Sequence, residues 1–460
     1  MTVQQNIAAR EAVGRLVDQG VDVVRVVYPD FFGTDRGRDI PVDALPNVME
    51  HGLAFCRAIY HTTPLCDVTP VAGGLASGLP DIIVYPDLST LAPLPWEPGV
   101  AQCIGDAYEA DPMGHGHPVL CPDSPRSVLR RVVGLCQEIG LTGVMGPELE
   151  FFLLERTGDG DPLTSSAWRR YGEAQGNVYV VGRRGDPDNL LVSMLRQIKA
   201  LGVNATAANH EFCSGQFEIN LLHSGALDAA DRAFRLRAAV KELARERGLL
   251  ATFMGRPFND EGGSGFHLHV SLVGEAGANL MGDPDGAHGL SELAHQAVAG
   301  VLRHAPAIAA LANPTVNAFK RLRPDSLAPF LIDWGLDNRS AMVRIPPERG
   351  SSARLEVRLG DASANAYLIA AAVLGAMYLG VKEGLTAPAP LEGYGYDPAA
   401  AEPLPSSFEA ALDALAADQA LGEVLGGQFV DAYLDFKRAE VDRFRTWVTD
   451  WEFREYAYHL

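Results

Sequence analysis

The sequence predicts an α+β protein with two domains, and three observations carry this prediction. The chain has 460 residues, more than one ordinary hydrophobic core needs, and its 47% hydrophobic content is ample for burial. Several short segments alternate polar with large apolar residues, as strands with one buried face do. Longer stretches between them have the apolar periodicity of helices. The alternating segments predict one sheet with an apolar back and a polar front.

The first domain is predicted over residues 1–110, as a small mixed domain. A helical pattern runs from about Ala8 to Gln19 and leads into the β-branched segment Val21–Val27, which predicts a strand. The segment Tyr28–Gly37 then reads as a turn region before the chain becomes extended again near Ile40.

The second domain is predicted over residues 111–460. It begins with Asp111–Pro118, a Gly- and Pro-rich segment that we interpret as a solvated linker, with histidines that do not bind metal. Its most apolar stretch, Leu368–Gly380, is too short to span a bilayer and predicts a buried helix. The predicted helices are a first one that starts at Ser124-Pro125 and ends near Gly140, then Leu227–Arg247, Ala364–Glu383 and Phe408–Leu425.

Charge and cysteine usage exclude several classes of protein. A net charge of −20 argues against nucleic-acid binding, which depends on Lys and Arg neutralising phosphates. The six cysteines show no CxxC or zinc spacing, so we expect reduced thiols rather than a disulfide framework. The first ten residues lack the pattern of a signal peptide. We therefore expect a cytoplasmic protein with neither a nucleic-acid nor a membrane partner.

Four segments place charged residues two apart, so that each strand would present them on one face. Together with Glu211, they bring five glutamates toward one cavity, an arrangement that is costly unless cations compensate it. Oxygen-rich ligation of this kind suits Mg²⁺, and a histidine makes Mn²⁺ a possible substitute. The residues are Glu148 and Glu150, Glu218 and Asn220, His267 and His269, and Arg354, Glu356 and Arg358.

Arginines accompany these carboxylates along the sequence. Guanidinium groups beside divalent metals are typical of sites that stabilise a phosphoryl group in transfer. No GxxxxGK[ST] segment is present, so a P-loop is excluded. Any one segment could be a solvated strand face, but the four together favour a phosphate- and metal-binding site. The arginines are Arg321, Arg339, Arg344, Arg354 and Arg358.

The ordered motifs resemble the glutamine synthetase superfamily, at the size of its bacterial type I members. The resemblance covers almost the whole chain and includes motifs from both predicted domains. The matching segments are Tyr28–Gly33 with Arg36–Arg38, Gly146–Phe152, Asn209–Glu211 with Gly215–Glu218, Gly263–His269, Asn313–Asn317 with Lys320–Leu322, Asn338–Ser340 with Arg344–Pro346, and Arg354–Arg358.

The resemblance implies a fold and an assembly. The fold would be an N-terminal β-grasp domain followed by a large catalytic domain whose curved antiparallel sheet is flanked by helices. The assembly would be a homo-oligomer, a dodecamer of two hexameric rings, with active sites shared between neighbouring subunits. ATP would be a co-substrate, with two or three Mg²⁺ or Mn²⁺ ions at each site, and glutamate would be the acid substrate.

The resemblance also implies roles for individual residues. One metal would be held by Glu150, Glu211 and Glu218, facing the acceptor carboxylate. A second would be held by Glu148, His267 and Glu356, facing the nucleotide phosphates. The remaining implied roles are ATP contacts for His269, Ser271 and Arg354, contacts to the transferred phosphate for Arg339 and Arg344, the glutamate α-carboxylate for Arg321, and its γ-carboxylate for Arg358.

Two departures from the family concern the nucleophile. Members that use ammonia carry an aspartate where this chain has Cys56, and a flap glutamate where it has Leu327. A leucine can neither attract nor deprotonate ammonium, because it has no acceptor and no titratable group. We therefore predict a glutamate–amine ligase in amine utilisation, which joins glutamate to an organic primary amine such as ethanolamine, another monoamine or a polyamine.

A third departure concerns the acid substrate. The family commonly has Asn-Gly where this chain has Gly262-Gly263, so Gly263 is expected to line the glutamate site without the asparagine beside it. Two alternatives remain open. The chain could be a glutamine synthetase that uses ammonia, or a non-catalytic regulator of nitrogen metabolism with the same fold. A degenerate regulator is expected to have lost metal ligands, and none is lost here.

Overall fold

A computed structural model of the chain describes residues 3–110, 119–158, 160–172 and 177–460. The predicted linker Asp111–Pro118, with His115 and His117, lies outside these residues. The predicted domain boundary at residues 110/111 directly precedes it and stays a prediction.

A six-stranded mixed sheet forms the N-terminal part of the molecule. Its order is β2-β1-β6-β4-β3 with β5 beside β6, and β1 runs antiparallel to β2 but parallel to β6. This mixed order agrees with the expected N-terminal β-grasp arrangement. The elements are α1 (Val3–Asp18), β1 (Val23–Pro29), β2 (Asp35–Pro41), α2 (Leu45–His51), β3 (Leu53–Cys56), β4 (Asp81–Pro86), β5 (Ala92–Pro93) and β6 (Val100–Glu109).

The turn between β1 and β2 is shorter than the predicted Tyr28–Gly37. Tyr28 continues β1, and β2 already begins at Asp35. Asp30 makes the tight turn possible because its Oδ1 accepts hydrogen bonds from the backbone N–H groups of Phe32 and Thr34, each at 2.9 Å.

A ten-stranded sheet carries the polar face predicted from the sequence. Its order is β14-β15-β16-β13-β7-β10-β9, with three short strands on β7. All pairs are antiparallel except β14 with β15, so the expected antiparallel sheet is confirmed with one exception. The strands are β7 (Thr142–Arg156), β8 (Trp168–Arg170), β9 (Ala205–His210), β10 (Gln216–Leu221), β11 (Ser224–Gly225), β12 (Leu250–Thr252), β13 (Gly265–Val273), β14 (Trp334–Leu336), β15 (Val343–Ile345) and β16 (Leu355–Asp361).

Helices cover the apolar back of this sheet. Two of them pack on β7 and one on β16, and together with the strands they form one continuous hydrophobic core. The helices after β6 are α3 (Pro125–Glu138), α4 (Leu190–Ala200), α5 (Ala226–Glu246), α6 (Glu292–Ala312), α7 (Ala366–Glu383), α8 (Phe408–Ala417), α9 (Gln419–Leu425), α10 (Gly427–Arg445) and α11 (Asp450–Tyr456). The β7-packing helices are α3 and α5, and α6 packs on β16.

Helix α7 is long and apolar enough to cross a membrane, but 83% of it is buried inside the molecule. Two glycines let it approach α6 closely, since a Cβ on Gly300 would lie 2.1 Å from the carbonyl oxygen of Ala376. The prediction of a buried helix over Leu368–Gly380 is therefore confirmed.

The prediction of one continuous tail helix over Phe408–Leu425 is wrong, because the segment forms two helices that are separated at Asp418. This residue leaves the helical region, with φ −85° and ψ 80°, and its side chain instead caps α9 by accepting a hydrogen bond from the Leu421 N–H. Its Oδ2 also lies 2.6 Å from His304 Nδ1. An aspartate that caps a new helix stabilises the break rather than a continuous helix.

Candidate active site

The four alternating segments become four neighbouring strands, in the order β16, β13, β7 and β10. Their register brings the predicted polar residues face to face across the sheet. The apolar residues between them pack into the core on the other side. The cross-strand pairs are Glu150 with Glu218, Glu148 with Asn220, Glu148 with His267, and His269 with Glu356.

A bulge in β16 adjusts this register. Phe266 pairs with Gly360, but Leu268 pairs with Val357, so Arg358 and Leu359 together face the single residue His267. A bulge bends a strand and re-aims its side chains, and here it does so at two of the predicted site residues.

An inner cavity of about 770 Å³ opens above the polar face of the sheet. It is lined by most of the residues that the sequence singled out, which come from strands and from the loops between them. The predicted residues in its lining are Glu148, Glu150, Glu211, Glu218, Gly263, His267, Arg321, Leu327, Arg339, Arg344, Glu356 and Arg358.

An outer cavity of about 740 Å³ adjoins the inner one. His269, Ser271 and Arg354, the residues expected to contact ATP, all line it. The two cavities have Glu148, Thr206 and Asn220 in common, so they meet at the polar face of β7, β10 and β9.

Cys56 is the one predicted site residue that lines neither cavity. It lies exposed at the end of β3, the edge strand of the N-terminal sheet, where it pairs with Asp81. Within a single chain, Cys56 is therefore separate from the cluster.

Glu148 is at the centre of a chain of polar contacts that links the cavities. Its Oε1 lies 2.9 Å from His269 Nε2, and its Oε2 lies 3.5 Å from His267 Nδ1. Burial alone raises the pKa of Glu148, but the hydrogen bonds from both imidazoles outweigh this and hold the pKa well below its usual range. Arg354 Nε donates to His269 Nδ1 at 3.1 Å, so His269 carries its proton on Nε2 and donates it to Glu148.

Three other glutamates of the inner cavity, Glu150, Glu211 and Glu218, have pKa values shifted in the opposite direction, upward. Burial, with Glu211 nearby, raises the pKa of Glu150 to about 7. Burial, together with three neighbouring glutamates, raises the pKa of Glu218 to about 9, and burial also raises the pKa of Glu211. Near neutral pH, Glu218 and part of the Glu150 population therefore keep their protons unless cations replace them.

Other polar residues hold these carboxylates in place. Glu150 accepts hydrogen bonds from the Gly265 N–H and from Gln216 Nε2, both at 2.9 Å. Asn209 Nδ2 donates to Glu211 at 2.8 Å, and Asn220 Nδ2 donates to Glu218 at 3.1 Å. Both asparagines stand two residues from the glutamate they hold, a spacing that could have indicated this role; Gln216 gave no such signal.

Two groups of three side chains place ligand atoms within 4.8 Å of one another, as a bound metal ion requires. They are Glu148, Glu218 and His267, and Glu148, His269 and Glu356. The first group combines residues that the sequence analysis assigned to two different metals. Two carboxylates and one imidazole in each group fit Mg²⁺ or Mn²⁺, whereas no thiolate belongs to either group.

The arginines divide into anchored and free groups. Arg358 Nη1 donates to Glu356 Oε1 at 2.6 Å, and Arg344 donates to Glu356 and, at 2.7 Å, to Asp337. Burial raises the pKa of Glu356, but nearby cations outweigh it and lower the pKa to about 2. Arg339 is exposed and makes no hydrogen bond or ion pair with a described residue, so its guanidinium is available to an anion.

Arg321 is buried beneath the inner cavity, and only glycine fits beside it. Its Nη2 donates to the carbonyl oxygens of Leu359 and Gly360 at 3.0 and 2.7 Å. A Cβ on Gly263 would lie 2.5 Å from Arg321 Cγ. Gly263 therefore lets the arginine reach the cavity.

Gly262 contacts a cysteine that the sequence analysis did not single out. Its N–H donates to Cys213 Sγ at 3.2 Å, and a Cβ at position 262 would lie 2.9 Å from that sulfur. The thiol thus leaves no room for the asparagine that the family commonly carries here. Burial raises the pKa of Cys213 to about 12, so it remains a thiol.

Comparisons with known proteins agree with this geometry. Residues 122–456 match the family model described as glutamine synthetase, catalytic domain. Glutamine synthetases of Methanocaldococcus jannaschii and Halobacterium salinarum are 34% and 32% identical to this chain; the alignments cover 97% and 95% of it and 97% and 94% of those proteins.

Solved structures give the same result for the fold. The structure of a GmaS–ADP complex has a TM-score of 0.84 and 30% identity, covering 97% of this chain and 99% of that one. A novel glutamine synthase homologue has a TM-score of 0.81 and 27% identity, covering 95% and 98%. The chain therefore belongs to the glutamine synthetase family and has the glutamine synthetase fold.

Proposed function

We propose that this protein is an ATP-dependent glutamate–amine ligase, which forms a γ-glutamylamide, ADP and phosphate. The observation that carries the proposal is the inner cavity: its lining combines a full set of carboxylate, imidazole and guanidinium groups with Leu327 at the flap position.

The first step would activate the acid. Arg321 and Arg358 would hold the two carboxylates of glutamate, and the γ-carboxylate attacks the γ-phosphate of ATP to give an acyl phosphate and ADP. Arg339, which makes no hydrogen bond or ion pair with a described residue, and Arg344 would bind the phosphoryl group as its charge develops. Mg²⁺ or Mn²⁺ at the glutamate and histidine cluster would neutralise phosphate charge when bound. The outer cavity would hold ATP through His269, Ser271 and Arg354.

The second step would use an amine. Its nitrogen attacks the acyl carbon, the C–O bond to phosphate breaks, and the proton that the amine loses passes to the departing phosphate as the amide forms. Leu327 offers no carboxylate to attract ammonium or to accept its proton, and its apolar side chain in the cavity lining favours an amine with an organic substituent that can contact it. The structural similarity to GmaS supports this reading.

Initial rates of phosphate release test the proposal directly. The protein is incubated with ATP, glutamate, Mg²⁺ and, in turn, ammonium, monoamines, ethanolamine and polyamines. We expect at least one organic amine to exceed ammonium in kcat/KM. Equal or better use of ammonium would overturn the proposal in favour of a glutamine synthetase, the name that the curated relatives carry.

The alternative of a non-catalytic regulator has a separate test. Both candidate metal-binding groups are intact here, which supports an enzyme. Glu356→Ala is expected to abolish ATP turnover while the assembly keeps its size. A wild-type protein without any glutamate-dependent ATP turnover would support the regulator instead.

We also propose a homo-oligomer, with the two-ring dodecamer of the family as its form. The C-terminal segment supports an assembly because Trp447, Trp451, Phe453 and Tyr458 are all exposed in the single chain. In a ring, Cys56 of one subunit could complete the cavity of its neighbour. Light scattering is expected to give about twelve times the 49.3 kDa of one chain; a monomer would contradict this.

The six unpaired cysteines support a cytoplasmic location.

A further inference from the structure

The loop that carries Leu327 has an unusual backbone. Asp325 and Leu327 adopt positive φ angles of 59° and 62°, a region that bulky side chains rarely occupy. Strain of this kind persists only where the surroundings hold it, and it concentrates at ligand-binding segments.

Hydrogen bonds hold this loop on both sides. Ser326 Oγ lies 2.6 and 2.9 Å from two backbone carbonyl oxygens. Tyr396 donates its hydroxyl hydrogen to the carbonyl oxygen of Ala328 at 2.9 Å, and Tyr394 donates to Asp325 Oδ1 at 3.0 Å. The two tyrosine rings also pack together, with centroids 4.7 Å apart. These contacts fix the backbone that presents Leu327.

Leu327 belongs to an apolar rim of the inner cavity, which we define as Tyr179, Phe212 and Leu327. All three line the cavity, yet they are 61%, 55% and 62% exposed. Large apolar side chains that stay exposed together at a pocket indicate a binding surface. Phe212 directly follows Glu211, so the rim adjoins the carboxylate cluster.

The rim offers no charge to a bound cation. The acidic residues among the cavity-lining residues are the five glutamates that are candidate metal ligands. Asp325, the acid nearest to Leu327 in the sequence, instead accepts the hydrogen bond from Tyr394 and does not line the cavity. The rim has no carboxylate to pair with a second ammonium group on the substrate, and the rings of Tyr179 and Phe212 with the Tyr179 hydroxyl would compensate the desolvation of that charge only in part.

We propose that the apolar rim binds the organic substituent of the amine, and that the substrate class is a primary monoamine with an uncharged alkyl or aryl substituent. This inference rests on the proposed amine ligase activity and narrows it. It assigns Phe212 and Leu327 as residues that determine specificity, while the reaction itself depends on the groups deeper in the cavity.

A matched substrate pair tests the charge argument. Butylamine and 1,4-diaminobutane have the same carbon chain and differ by one terminal ammonium group. We expect kcat/KM for butylamine to exceed that for the diamine at least tenfold, and to rise from methylamine to butylamine by up to about fourfold per buried methylene.

Substitutions of Leu327 and Phe212 test whether these rim residues bind the organic substituent of the amine. Leu327→Ala and Phe212→Ala are each expected to lower kcat/KM for butylamine about tenfold and to leave KM for ATP and glutamate unchanged, which also shows that the variants fold. Leu327→Met, of similar volume, is expected to retain activity, as is the control Leu163→Ala, an exposed leucine that lines neither cavity.

The outcomes separate the two proposals. If ammonium is used as well as the best organic amine, the ligase proposal falls and the rim proposal falls with it. If organic amines are used but the diamine equals butylamine, or if Leu327→Ala and Phe212→Ala keep the wild-type butylamine activity, only the rim proposal is overturned.

Discussion

At the scale of single residues, the acidic cluster contains carboxylates with opposite properties. Glu148 and Glu356 are held ionised by neighbouring imidazole and guanidinium groups, while burial favours the protonated forms of Glu150 and Glu218. The sequence predicted that these residues converge and need cations. It did not indicate which of them keep protons, because that depends on burial and on neighbours from other strands.

The raised pKa values of Glu150 and Glu218, about 7 and about 9, predict how metal binding depends on pH. A metal ion must displace these protons, so Mg²⁺ affinity is expected to increase as the pH rises through this range, with proton release on binding. Calorimetry in buffers of different ionisation enthalpy measures both quantities. The variant Glu218→Gln is expected to lose the upper part of the pH dependence; an affinity that is constant from pH 7 to 9 would contradict the assignment.

The same pKa values predict the stability of the metal-free protein. Both lie above 4.5, the ordinary glutamate value. Because the folded protein holds these two protons more tightly than the unfolded chain does, proton binding by Glu150 and Glu218 stabilises the fold. This contribution to the free energy of unfolding is complete below about pH 4.5 and is lost as the pH rises through 7 and 9. Thermal melts in EDTA are expected to show the melting temperature falling over this range, and Mg²⁺ is expected to restore it. A melting temperature that increases toward pH 9 without metal would contradict the prediction.

Gly263→Ala is expected to disable the acid site, since the added Cβ would lie 2.5 Å from Arg321 Cγ and from the Gly255 carbonyl oxygen. Displacing the arginine by about 1 Å is expected to lower kcat/KM for glutamate about 100-fold, with KM for ATP little changed. The control is Gly134→Ala in α3, where a Cβ meets nothing within 4 Å. Normal glutamate kinetics for Gly263→Ala would refute the role of Arg321.

At the scale of elements, the four strands with alternating patterns were predictable because their period of two is written locally in the sequence. The bulge at Arg358 was not, since it depends on pairing with the distant strand β13. The break at Asp418 has a local signal, the capping aspartate, but the helical apolar pattern on both sides of it predicted one helix. The apolar rim was only partly predictable. Leu327 stood out by comparison with the family, but Tyr179 and Phe212 lie in segments without a periodic pattern.

The close packing of α6 against α7 has its own prediction. A Cβ on Gly380 would lie 2.1 Å from the Gln296 carbonyl oxygen and 2.8 Å from Gly300 Cα. Gly380→Ala is thus expected to lower the free energy of unfolding by about 1–3 kcal/mol, as overpacking does. Denaturant unfolding measures this, with Gly422→Ala, where the added Cβ meets nothing within 4 Å, as the control. Equal stability of the two variants would show that the helices separate easily.

At the scale of the whole molecule, two cavities meet at one wall of the large sheet. The arrangement supports an enzyme that binds a nucleotide in the outer cavity and an acid and an amine in the inner one. Family membership follows from similarity over nearly the whole chain. The choice of amine rests on the few residues around Leu327, where this chain departs from the family pattern.

A competition experiment tests whether the enzyme prefers an organic amine to ammonium. The protein is given ATP, glutamate, Mg²⁺ and equal concentrations of ammonium and butylamine, and the products are identified by mass spectrometry. We expect γ-glutamylbutylamide as the main product, formed in step with phosphate. Glutamine as the main product would contradict it.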